Sequence, residues 1–189
     1  RSRITRLRAA VNAPYRARWA PNRAWRWWLR PVLGLELRRL HRLIEGAPAG
    51  HPERDRAVQA YDAAGLIAQS PHLPPQALVC AVVVTRNGVQ LIEHPDLPLS
   101  EPCQINPLHG AANDRYREYA HRQRLTSWRI CARCADRTRF DPRIGLLRPS
   151  LPIPAEEGPT HYRYAKDVWA KATTAPDHAF ARVRRELEV

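Results

Sequence analysis

Apolar residues recur at positions 29, 33, 37, 40 and 44, one turn apart each time, with Arg30, Arg38, Arg39 and Arg42 filling the positions between. That spacing predicts an amphipathic helix with a single apolar stripe, running from a cap at Asn22 through Trp25, Trp27 and Trp28 to Ile44. Pro31 lies inside it and predicts a kink or a late start. Gly46, Pro48 and Gly50 end it. Ahead of it, Pro14 and Pro21 interrupt a shorter helical piece. A second helix is expected from His51-Pro52-Glu53 to Gln69, with Val58, Tyr61, Gly65 and Ala68 on one side, before Pro71, Pro74 and Pro75 stop it.

The next run, Ala77–Val84, is apolar and rich in β-branched residues, which predicts a strand. Asn87-Gly88 is a strong two-residue hairpin signal, and Val89–Glu93 reads as the returning strand. Beyond residue 99 the chain turns polar and Arg-rich. A short strand is expected at Ser127–Ile130, a short helix over Ala132–Phe140, and extended chain over Asp141–Thr160, where prolines are frequent. Ala165–Val189 reads as one or two short helices, with Trp169, Phe180, Val183 and Leu187 as core contacts.

Charge divides this chain unevenly. Of a net +13, residues 1–46 carry +10 from twelve Arg and two Glu. Such a segment attracts nucleic acid or phospholipid headgroups. Trp beside Arg suits a membrane interface, with indoles at headgroup depth, and equally suits nucleic acid, with guanidiniums on phosphates and aromatics stacked on bases. The third reading is that the apolar stripe packs on the rest of the domain while the arginines face water. No run of 18 apolar residues occurs. The chain starts at Arg1 and has no methionine, so we expect a processed protein or a piece of a longer one.

Cysteine usage sharpens the picture. Four cysteines in 189 residues are too few for a disulfide scaffold. Cys80 falls in the apolar run and is expected to be a buried thiol. The other three join a histidine: Cys103-x5-His109, a gap of 21 residues, then Cys131-x2-Cys134. This is the layout of a two-knuckle zinc site. Two residues between Cys131 and Cys134 let one tight turn aim both sulfurs inward, while Asn106-Pro107 and Gly110 suggest a turn around the first half-site. Three thiolates and one imidazole close a tetrahedron around Zn²⁺ with no position open, which points to a structural ion. Arg129, Arg133 and Arg137 would offset the net charge of such a site. The alternatives are a redox Cys-x-x-Cys, for which no βαβ setting is visible, and a chance grouping of buried cysteines.

The run Cys103–Gly110, with Asn-Pro-Leu-His-Gly at its core, and the pair Cys131 and Cys134 followed by Ala135 are similar to the signature of an uncharacterised bacterial family from high-GC genomes. That family joins Cys, two variable residues and Asn-Pro-Leu-His-Gly to a later Cys-x-x-Cys-Ala. Its aromatic stretch and Val-Trp-Ala are matched by Tyr162, Tyr164, Val168, Trp169 and Ala170, and Lys171-Ala172-Thr173-Thr174 stands where the family commonly has Thr-Gly-Tyr-Gly. The resemblance spans about residues 55–187. It implies the metal set and, because many members carry a membrane segment upstream, a membrane tether. It implies no activity.

Together these features predict an α+β fold: a small zinc-ribbon or treble-clef-like unit with a β-hairpin and flanking helices. Residues 1–46 form a basic helical segment, and 51–189 a zinc-stabilised domain with its metal unit at about 99–140. The sequence holds no nucleophile elbow, no Walker loop and no G-x-G-x-x-G, and His121, His161 and His178 lack ligand-like spacing. We expect no catalytic residues and no small-molecule substrate, leaving a non-enzymatic interaction module. Its expected partner is an anionic membrane surface or another protein, with nucleic acid as the alternative through residues 1–46. An enzyme with an unrecognised site is the remaining alternative. Reduced thiols and a basic segment place it in the cytoplasm, tethered to the membrane by a segment outside this chain.

Overall fold

A computed structural model of the chain describes residues 23–104, 106–112, 115–121, 124–138, 152–153, 160–161, 168–173, 183 and 185. Its described part is mainly helical. Helix α1 spans Arg23–Gly46, α2 Arg54–Gln69 and α3 Pro75–Glu93. A 3-10 turn, Pro107–His109, precedes strands β1 (Arg115–His121) and β2 (Arg124–Ile130). The short helix α4 (Ala132–Thr138), strands β3 (Pro152–Ile153) and β4 (Thr160–His161), and helix α5 (Val168–Thr173) follow.

Helix α1 forms where its apolar period predicts, and it continues through Pro31. Leu29, Leu33, Leu40 and Ile44 are buried, with Leu37 half-buried beside them, and Arg30, Arg38, Arg39 and Arg42 are exposed. Side-chain entropy and charge keep the arginines in water while the leucines meet α3 and α2. Two of the arginines are anchored. Arg39 pairs with Glu93 at the end of α3 (2.8 Å), and Arg30 reaches the Ala68 carbonyl.

Helix α2 buries Ala57, Ala60, Ala63, Ala64 and Ile67. The expected face of Val58, Tyr61, Gly65 and Ala68 is only half-buried, at the margin of that alanine seam. Small side chains win the central positions because they let the α2 and α3 backbones approach closely.

The strand and hairpin expected over 77–93 do not form. Pro74, in extended backbone (φ −67°, ψ 160°), leads into Pro75 at the first helical position, where a missing N–H is no loss, and a 19-residue helix follows. Every residue from Ala77 to Thr85 is buried. An apolar run without period is what a helix enclosed on all sides requires, and α3 touches α1, α2, α5 and the 3-10 turn. Tertiary burial thus overrides the β-preference of its valines. Thr85 satisfies its hydroxyl within the helix by donating to the Ala81 carbonyl at 2.7 Å. Cys80 is buried here and in no disulfide, as expected.

A hairpin is present elsewhere in the chain. Strands β1 and β2 pair antiparallel from Arg115↔Ile130 to His121↔Arg124, so the strand expected at Ser127–Ile130 starts earlier and has a partner. The helix expected after Cys131 forms as α4. Within the stretch expected to be extended, Pro152–Ile153 pairs with Thr160–His161, and the rest lies outside the described residues. Trp169, Ala172 and Val183 join the helical core, whereas Phe180, Leu187 and the piece around Pro14 and Pro21 also lie outside the described residues. A second, smaller core gathers Cys103, Ile130, Cys131, Cys134 and Ala135.

Candidate metal centre

Two local devices build the second core. The first is a closed loop from Glu101 to Ala112. Cys103 N donates to the Gly110 carbonyl (2.9 Å) and Ala112 N to the Glu101 carbonyl (2.8 Å), so the loop ends run antiparallel. Inside it, Asn106 caps the 3-10 turn by accepting from Leu108 N at 3.0 Å. Pro107 occupies the first turn position, where its fixed φ is already suitable. Gly110 leaves the turn at φ 99°, in the region that only glycine enters without strain, and the chain swings back toward Cys103. His109 is thereby held next to Cys103 although five residues separate them.

The second device is the end of the hairpin. Ile130, fully buried, closes β2, and Cys131 follows at the mouth of α4, where its carbonyl accepts from Ala135 N at 3.0 Å. Cys134 falls in the first turn of that helix. Gln104 staples the two devices together: its N donates to the Arg129 carbonyl and its Oε1 accepts from Arg129 N, both at 3.0 Å. Arg129 also pairs with Glu101 at 3.0 Å, so its charge is matched by a carboxylate.

The result brings all four sequence-predicted ligands together. The three sulfurs and the imidazole offer ligand atoms that all lie within 4.8 Å of one another, so Cys103, His109, Cys131 and Cys134 could hold a metal ion. Cys103 Sγ and Cys134 Sγ are 3.7 Å apart, His109 Nδ1 is 3.2 Å from Cys134 Sγ, and Cys131 Sγ is 4.0 Å from Nδ1. The structure adds what spacing could not, that Nδ1 is the nitrogen facing the sulfurs. Among the described residues no second group of three or more His, Cys, Asp or Glu comes so close.

The electrostatics of the metal-free cluster support one thiolate. Cys103 is pushed down to about 3, chiefly because the Cys134 thiol donates to its sulfur, with His109 adding to the effect against the opposing influence of burial. The same hydrogen bond pushes Cys134 up, reinforced by burial and by the nearby sulfur charges. Cys131 is raised by burial first and by the Cys103 charge as well. A cation in the centre would take the place of the two protons, since metal ligands must be deprotonated.

Sequence spacing gave no signal for Arg86. From the middle of α3 its Nε donates to Glu36 of α1 and its Nη1 to the carbonyl of Leu108, the residue before His109, each at 2.7 Å. The helical core and the metal loop are therefore joined by one half-buried guanidinium. Glu36 and Arg86 are fifty residues apart in a chain full of arginines, and nothing in the sequence marks this pair.

Compared with known proteins, the chain matches no family model, no curated protein and no solved structure. No described helix is long and apolar enough to cross a membrane.

Proposed function

We propose that this chain is a non-enzymatic interaction module stapled by a structural Zn²⁺. One observation supports the reading before all others, the convergence of Cys103, His109, Cys131 and Cys134 within 4.8 Å. In a tetrahedron with Zn–S of about 2.3 Å and Zn–N of about 2.05 Å, sulfurs lie about 3.8 Å apart and sulfur and nitrogen about 3.6 Å apart. The sulfur–sulfur distance of 3.7 Å is close to the first value, and the sulfur–nitrogen distances of 3.2 and 4.0 Å bracket the second. Three thiolates and an imidazole fill the four positions, so no water or substrate site remains on the ion. We read the unit from about 99 to 140 as zinc-ribbon or treble-clef-like, on the ground that one half-site sits in a tight loop and the other where a hairpin hands over to a short helix. Its resemblance to the bacterial signature Asn-Pro-Leu-His-Gly … Cys-x-x-Cys-Ala supports the same ligand set. Purified protein should contain one equivalent of zinc by elemental analysis, with one of its four thiols, Cys80, outside the cluster. Protein holding no tightly bound metal overturns the reading.

The proposed partner is an anionic surface on the cytoplasmic side of a membrane, reached by a tether outside this chain. The apolar stripe of α1 is spent on the core, so insertion by that stripe is closed off. Besides Arg30 and Arg39, which are held by other helices, α1 shows Arg38, His41, Arg42 and Glu45 to solvent together with Leu35, which is 61% exposed. This face contacts by charge, and charge is also what supports the second reading, a nucleic-acid-binding protein. Binding to vesicles rich in phosphatidylserine, without binding to duplex or single-stranded DNA, supports the membrane reading. Salt-sensitive binding to nucleic acid alone would replace it.

A further inference from the structure

Helices α1 and α2 each turn one stripe to solvent. On α1 it holds Leu35, Arg38 and Arg42, and on α2 Asp55, Asp62 and Leu66, at spacings of three, four and seven that keep each set on one helical face. All six are exposed, and Leu35 and Leu66 are two of the three exposed large apolar side chains among the described residues. Within one copy the two helices touch through other residues. Arg30 reaches the Ala68 carbonyl, Arg54 the Ile44 carbonyl, and His41 stacks on Tyr61 with ring centroids 5.5 Å apart. The charges on the stripes also stand apart from the others of this region. Glu36 meets Arg86, Glu45 His41, Glu53 Arg56 and Glu93 Arg39. Asp55 and Asp62 have no such partner among the described residues, and neither Arg38 nor Arg42 meets a carboxylate there. Asp55 lies in the first turn of α2, where the helix dipole favours an acid, but Asp62 lies in its middle and has no such reason to be there.

We propose that the two stripes bind each other between copies of this chain, α1 of one copy lying antiparallel on α2 of the next. The order of the residues selects the direction. Both arginines follow Leu35 and both aspartates precede Leu66, so only an antiparallel pair brings them to the same side of the leucines. With Leu35 opposite Leu66, Arg38 stands about 4.5 Å and Arg42 about 10.5 Å along the axis, against about 6 Å for Asp62 and about 16.5 Å for Asp55. An arginine side chain spans those differences. Two unlike faces make a head-to-tail contact, so association runs on into rings or chains instead of stopping at a dimer. One leucine pair and two exposed charge pairs give a weak contact, of the class that buries less than about 1,200 Å². The inference does not rest on the ion. It shares Arg38 and Arg42 with the proposed anionic surface, so lipid and a second copy compete for them.

The test follows the full chain with its metal by sedimentation velocity, without lipid or nucleic acid, from micromolar to millimolar concentration. The weight-average sedimentation coefficient should climb with concentration at low salt and fall back in about 1 M NaCl, where the Debye length is about 3 Å. Arg38→Glu with Arg42→Glu should weaken association about tenfold or more, and so should Asp55→Lys with Asp62→Lys, because each sets like charges opposite each other. Mixing the two double variants should restore it, since every α1 then finds an α2 of opposite charge. The four substituted positions are exposed, so both variants should keep the parent's helical circular dichroism. A monomer at every concentration overturns the proposal and leaves the α1 stripe to the anionic surface. Association that either reversal leaves intact, or that mixing fails to restore, overturns it too.

Discussion

Replacing Gly88 with Ala sets two effects of opposite sign against each other, and the structure decides which wins. In an exposed helix interior the change is favourable by about 1 kcal/mol, because glycine gives up more backbone freedom on folding. Gly88 is buried in the middle of α3, and a Cβ there would meet Leu40 Cδ2 at 2.8 Å, Ala60 Cβ at 3.0 Å and Leu40 Cδ1 at 3.2 Å. Carbon atoms rest at about 3.5–4.0 Å, so Leu40 must retreat by more than half an ångström and Ala60 by a few tenths. Leu40 is fully buried with little room to turn, and the Ala60 methyl moves only with the α2 backbone. Overpacking of this kind costs about 1–3 kcal/mol, and separating α2 from α3 forfeits further contacts along the alanine seam. We expect a net loss of about 1–2 kcal/mol, a fall in Tm of about 3–6 °C for a chain of this size. Gly65→Ala is the matched control. It lies in α2 with nothing within 4 Å of its added Cβ and should gain about 0.5–1 kcal/mol. Urea denaturation followed by circular dichroism at 222 nm reads both variants. If Gly88→Ala proves as stable as the parent, α3 is not seated against α1 and α2 as described.

Three further outcomes test other parts of the molecule. Cys131→Ser or His109→Ala should abolish stoichiometric metal binding and loosen the loop and hairpin around residues 101–135, while amide exchange stays slow in the separately packed α1–α3 core; equal loss of protection in both regions would show that one cooperative unit depends on the ion. Arg86→Met, which breaks the bonds to Glu36 and to the Leu108 carbonyl, should destabilise by about 1–3 kcal/mol and weaken metal affinity, with Glu36→Gln in the Met background adding little; full additivity in that double-mutant cycle would deny the link. Metal affinity should rise with pH around neutrality and weaken in acid, because Cys131 and Cys134 are held protonated without the ion and release protons on binding, whereas Cys103 is already a thiolate; calorimetry in buffers of different ionisation enthalpy counts those protons, and none released would refute the assignment.

The four candidate metal ligands were legible because such chemistry needs fixed residue types, and few Cys and His compete for the role in this chain. The apolar period of 29, 33, 37, 40 and 44 was legible for a similar reason, since a surface helix repeats its pattern on every turn. The run Ala77–Glu93 was not. A central helix has no polar side to give it a period, and its valines and its Asn-Gly pair carry the signature of a hairpin. The hairpin that does form, β1 with β2, is built from Arg115–His121 and Arg124–Ile130, polar and charged segments without clean alternation.

By itself the sequence determined which side chains could bind an ion, where α1 presents its apolar stripe, and that basic charge gathers at one end. Only the tertiary structure decided that 77–93 is a helix, that Gly88 is the point where three helices meet, and that Arg86 joins the core to the metal loop. The reason is the range of the interactions. Ligand spacing and helical period act between near neighbours in the chain, whereas enclosure, close approach of backbones and a guanidinium spanning fifty residues exist only once distant segments have packed.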